Sequence, residues 1–143
     1  MKQKARDDET NAWRILARAL LAEGKAAEAS DAMQHARSLA ARSQNPEIRW
    51  RTAITAARIE TAEKSAAHSA AGSATRKELA AIIVKSRELG YHGIGLDARL
   101  ALAEIEMKAG QTVAGRAHLA AIEADARAKG YILVARKAAV ACD

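Results

Sequence analysis

Two stretches of this 143-residue chain are near-copies of each other at a constant offset of 40 residues. One reads Leu79-Ala80-Ala81-Ile82 and then Arg87, Gly90 and Tyr91; the other reads Leu119-Ala120-Ala121-Ile122 and then Arg127, Gly130 and Tyr131. Seven identities at one offset mean that the chain is assembled from repeated units. Repeats with periods of about 20–50 residues specify stacked arrays, in which each unit buries its apolar face against the next. The functional question becomes which surface the stack presents.

The units are helical. The chain has one Pro, no Phe, two Trp and two Tyr, and is rich in Ala, Arg, Glu, Leu and Lys, the strongest helix formers. β-branched and aromatic residues, which favour strands, are sparse. The spacing predicts about seven helices and no sheet. Residues 1–9 read as a charged, flexible lead-in. A first helix follows, with Thr10 or Asn11 as its cap and Trp13, Leu16, Ala17, Leu20 and Leu21 at helical spacing. Gly24 ends it, and a second helix turns Ala29, Met33, Ala36 and Ala40 to one side. Asn45 is expected in the left-handed position that glycine usually takes, with Pro46 blocking continuation.

A third helix carries Trp50, Ile54, Ala57 and Thr61. Residues 64–74 read either as a long turn or as an extension of the fourth helix broken near Gly72. Thr75 and Glu78 match a capping box, which starts the fourth helix there. Gly90, Gly110 and Gly130 end the later helices. The domain is therefore 10–143, with units at about 10–45, 46–92 and 93–130 and a closing helix over 131–142. Trp13, Leu16, Leu20, Met33, Leu79, Ile82, Leu102, Leu119 and Ile122 are its expected core. Tyr91 and Tyr131, after glycines, are expected to pack over helix ends.

Trp13, Leu16, Ala17 and Leu20, then Gly24, then Ala29, Met33 and Ala36 match the spacing of the tetratricopeptide repeat, with Leu20 standing in for its Tyr. The closing Pro of that motif is absent, since Ala41 occupies its place. The unit at 93–130 matches more loosely at Leu102, Ala103, Gly110 and Leu119, with Arg99 in place of Trp and Gly115 in place of Ala. The chain thus resembles a divergent tetratricopeptide-like array. The run from Gly95 to Lys137 is also similar to the C-terminal segments of large bacterial regulatory proteins that carry such arrays behind a protein kinase or a winged-helix domain. The resemblance implies an antiparallel helix-pair solenoid that binds a peptide or partner domain in a groove lined by the first helix of each pair.

Residues with chemistry are present but ungrouped. Gly93-x-Gly95-x-x-Ala98 has the form of a dinucleotide fingerprint, yet a helix end precedes it where the fingerprint needs a strand. Asp31 and His35 share a helix face, but a metal site needs further ligands. Glu104 and Glu106 diverge on their helix and form no acid/base dyad. Cys142 is the only cysteine, so no internal disulfide forms. Residues 1–9 have no apolar core of a signal peptide, and no apolar run reaches the roughly 18 residues of a membrane span. A cytoplasmic location is expected, with no catalytic, metal or cofactor site and no enzymatic activity.

The formal net charge of +6 divides evenly between the two halves. A nucleic-acid-binding helical protein is the alternative reading, but such proteins cluster Lys and Arg in a stripe. The expected function is a protein–protein interaction or scaffold module. In the tetratricopeptide register, Asn11, Arg14, Arg18, Arg51 and Arg58 face the groove, which points to a protein or peptide partner of acidic character. Arginine suits that partner because its guanidinium grips carboxylates bidentately.

Overall fold

The computed structural model describes residues 1–62 and 70–143. Among them there are seven α-helices and no strand: α1 (Lys2–Ala22), α2 (Ala26–Ala40), α3 (Pro46–Glu60), α4 (Ala70–Glu88), α5 (His92–Lys108), α6 (Thr112–Ala128) and α7 (Ile132–Cys142). They cluster into two compact units, Met1–Glu60 and Thr61–Asp143. Within the first unit α1, α2 and α3 pack on one another; within the second, α4 packs on α5, α5 on α6, α6 on α7, and α7 also on α5. The expected unit 46–92 is divided between the two, with α3 in the first and α4 in the second. Short turns join α2 to α3 and α4 to α5.

Four of those turns share one geometry. Gly24, Gly90, Gly110 and Gly130 have φ of 77°, 80°, 80° and 82°. In each, the glycine N–H donates to the carbonyl three residues back and the next N–H donates to the carbonyl five residues back, as in Gly90 to Arg87 and Tyr91 to Ser86. This is the Schellman pattern, and glycine suits it because it has no Cβ to clash at positive φ. The residue after each glycine opens the following helix: the carbonyls of Lys25, Tyr91, Gln111 and Tyr131 accept from Ala29, Gly95, Gly115 and Ala135. So short a link sets consecutive helices antiparallel.

The charged stretch 1–9 departs from expectation, because α1 starts at Lys2. Its polar side chains tie down the turn between α2 and α3. Gln3 Nε2 donates to Ser43 Oγ at 3.0 Å, Ser43 Oγ donates to Asp7 at 2.7 Å, and Arg6 donates to the Arg42 carbonyl at 3.1 Å. Ser43 is buried at this hub. Thr10 is also buried and bonds the Arg6 carbonyl within the helix, so it caps nothing. Asn45 does not take the left-handed region, as among the described residues only glycines have positive φ. Its side chain instead accepts from the Glu47 N–H at 3.0 Å, capping α3 ahead of Pro46. The part of the expected 64–74 stretch before Ala70 lies outside the described residues. From Ala70 onward α4 runs unbroken through Gly72 and Thr75, so Thr75 and Glu78 sit inside the helix.

Met33, Leu79, Ile82, Leu119 and Ile122 are buried as expected, and Trp13 and Leu20 are half-buried against the first core. Leu102 is half-buried. Leu16 is not core: it is 44% exposed. The stripe that α1 buries runs through Thr10, Trp13, Ala17 and Leu20, and Leu16 falls beside it. The second core gathers Leu96, Leu100, Leu119 and Ile122 with Ala103, Ala126, Ala135 and Ala138, and α7 closes it with Val134 and Cys142.

The repeat explains one packing detail. A Cβ on Gly95 would lie 2.9 Å from Ser86 Oγ, and that buried hydroxyl bonds the Ile83 carbonyl. Forty residues on, the equivalent pair is Ala126 and Ala135, both fully buried. One copy places the extra atom on the first helix, and the other places it on the second. Gly95→Ala should therefore give up the serine hydrogen bond it pushes aside, worth about 0.5–1.5 kcal/mol, a loss that offsets the roughly 0.5–1 kcal/mol that alanine gains over glycine inside a helix. Ser86→Ala/Gly95→Ala, which recreates the second copy, should recover most of that loss. Urea denaturation of the two single variants and the double measures the coupling, and additive losses would refute the compensation. Leu119→Ala in the fully buried centre should cost about 2–5 kcal/mol; a change under about half a kcal/mol would place Leu119 outside the core.

Candidate functional site: a charged cleft in the second unit

Helices α4 and α6, the two copies of the repeated sequence, each pack on α5 and leave a cleft between them. It consists of two cavities of about 320 and 460 Å³ that share Ile83, Arg87, Arg99 and Asp125. The α4 wall is Ile83, Ser86 and Arg87. The α5 floor is His92, Gly95, Leu96 and Arg99, continued by Leu102 and Ala103. The α6 wall is His118, Ala121, Ile122, Asp125 and Lys129. On each helix these residues recur at three- and four-residue steps, the spacing of one helical face. The cleft stays open because Gly95, Ala103 and Ala121 contribute almost no side chain to it.

The polar groups form two clusters. Asp125 accepts from Arg99 at 2.6 Å and from Lys129 at 2.8 Å. The Lys129 ammonium first, and then the Arg99 guanidinium, hold the Asp125 carboxyl below its ordinary value. His118 Nδ1 lies 2.6 Å from Glu106, whose side chain is only 15% exposed while that of His118 is 59% exposed. The lining thus carries three fixed cations, Arg87, Arg99 and Lys129, and one carboxylate. Its apolar part comes from Ile83, Leu96, Leu102 and Ile122.

The expected groove residues lie in the other unit. Asn11, Arg14 and Arg18 are on α1, Arg51 and Arg58 on α3, and these helices pack on each other. Arg14 donates to Asn11 at 3.3 Å and Arg51 to Glu47 at 2.8 Å, each along its own helix. Arg18 is exposed, and Arg58 is half-buried. The cavity described in that unit, of about 80 Å³, lies between α2 and α3 and includes none of the five.

Other candidates find different uses. His35 stacks on Trp13 with ring centroids 4.6 Å apart, so its ring is turned to an aromatic neighbour. Among the described residues no three His, Cys, Asp or Glu side chains gather as for a metal ion. Gly93-x-Gly95 follows helix α4, and its glycines meet Tyr131 and Ser86 in close helix packing. Tyr131, expected over a helix end, rests against Gly93 in the first turn of α5. No helix among the described residues is long and apolar enough to cross a membrane.

Sequence reasoning passed over Asp125 and Lys129. The signal that could have found them was the repeat itself. Its two copies must lie two helices apart, so their outward faces flank a shared neighbour. No protein-family model, curated protein or solved structure matches the chain.

A depressed carboxyl stabilises the fold above its ordinary value of 3.8, and the contribution is lost as pH falls through the lower folded-state value. Asp125→Asn should lower stability at neutral pH by about 0.2–1 kcal/mol, the range for exposed ion pairs. The difference from the parent should close in acid. An NMR titration of the Asp125 carboxyl reads the shift directly, and a midpoint at or above 3.8 would contradict the bridging role.

Proposed function

We propose that this chain is a tetratricopeptide-like protein–protein interaction module that takes an extended peptide segment of its partner in the cleft between α4 and α6. The observation that carries the reading is the cleft itself, walled by the two repeat copies and floored by α5. Stacked helical units characteristically bind along such inter-unit surfaces. An open trough whose lining mixes apolar and charged side chains suits a chain of alternating side chains.

The chemistry of the lining supports binding rather than turnover. Its one carboxylate is held by two cations, which lowers its basicity and occupies its lone pairs. Ser86 donates its hydroxyl proton to the backbone of its own helix. With its bonds committed in this way, the cleft offers contacts and shape.

Peptide selection from a displayed random library tests the reading. Ala121 is exposed and lines the larger cavity, so Ala121→Trp fills the trough without touching the core. The parent should enrich a family of peptides, and Ala121→Trp should lose at least tenfold in affinity for them while melting within a few degrees of the parent. Enrichment of the same peptides by both proteins, or of none by the parent, would overturn the proposal.

A further inference from the structure

We infer that the cleft selects an acidic peptide, in which carboxylates flank an aliphatic side chain, and that Arg87 is its principal anchor. The inference rests on the peptide-binding reading above and names the chemistry of what is bound.

The two repeat copies differ beside one arginine. Arg87 and Arg127 are equivalent positions, each three residues before a turn glycine. In the second copy, Glu123 stands one turn before Arg127 and accepts from it at 2.9 and 2.8 Å. In the first copy that place is Ile83, which lines both cavities. Arg87 therefore has no carboxylate one turn back. It is exposed at the cleft, and it makes no ion pair among the described residues.

Across the trough, Arg99 and Lys129 share the single carboxylate of Asp125. Two cations on one acid leave a positive charge over, and Arg87 adds a second. An incoming carboxylate can pair with Arg87 in bidentate fashion and gain from Arg99 and Lys129 at longer range. Ile83 and Leu102 supply the apolar contact between these charges. A neutral peptide would leave the Arg87 charge without an anion. A basic one would be repelled.

The test uses the whole chain and a fluorescein-labelled peptide of alternating glutamate and leucine. Its control replaces glutamate by glutamine, and a single-stranded oligonucleotide of equal charge serves as competitor. In low salt the acidic peptide should bind in the micromolar range and the glutamine peptide at least tenfold more weakly. Arg87→Glu should weaken the acidic peptide tenfold or more. Asp125→Asn, which releases Arg99 and Lys129, should tighten it severalfold, a gain that misfolding does not produce.

Equal affinity for the two peptides, or no response to either substitution, would overturn the inference. An oligonucleotide that binds more tightly than the peptide would overturn it in favour of nucleic acid. Library peptides that lose binding on Ala121→Trp but show no acidic bias would defeat this inference alone and leave the peptide-binding reading standing.

Discussion

The helix order of the second unit depends on a link too short to permit choice. A helix that ends in glycine at φ near 80°, with its last carbonyls taken up by the next two N–H groups, must reverse direction at once. The residue after the glycine is already capping the following helix. In the second unit these glycines are Gly90, Gly110 and Gly130, spaced 20 residues apart. Each period is one helix and its turn, so the 40-residue repeat is two. Helices α4 and α6 then necessarily flank α5, and any surface they share lies over it. The cleft is a consequence of the period.

That logic marks what could be read from the residues. The helices were legible because Ala, Leu, Glu, Lys and Arg dominate and because four glycines and a proline punctuate the pattern. The buried repeat positions were legible because Leu79 and Ile82 recur as Leu119 and Ile122 and nothing else could fill those places. Residues 1–9 were not. Their composition is that of a solvated tail, and only the turn near Ser43, distant in sequence, gives Gln3, Arg6 and Asp7 something to hold. Leu16 misled for the opposite reason. Its identity fits a familiar motif, but burial depends on which neighbours α1 has, and the neighbours are set by turns elsewhere.

The charged residues show the same division. A net charge of +6 spread along the chain says little, because it does not reveal which cations are already engaged. Arg51 and Arg127 are each paired one turn away along their own helices, a local pattern visible in sequence. Arg99 meets Asp125 from another helix, and that pairing required the fold. The arginines expected to line a groove were chosen by register within a motif. Arg51 has Glu47 one turn back along its own helix, whereas the residue one turn before Arg87 is Ile83.

In an array of near-copies, positions that stay the same between copies serve the stacking, since every unit must present the same face to its neighbours. Leu79 and Leu119 are such a pair, and so are the turn glycines. Positions that change together keep the stacking by another route, as Ser86 with Gly95 and Ala126 with Ala135 do. What remains are positions that change alone and outward. Ile83 against Glu123 is the clearest. The exchange removes the acid that would have quenched Arg87 and lays an apolar side chain beside it. Neither effect helps the helix, because an i,i+4 ion pair of the kind Arg127 makes with Glu123 is worth about 0.2–0.5 kcal/mol to it. The gain is forgone in only one copy, on the wall of both cavities, which is the exchange that the proposed acidic-peptide site requires.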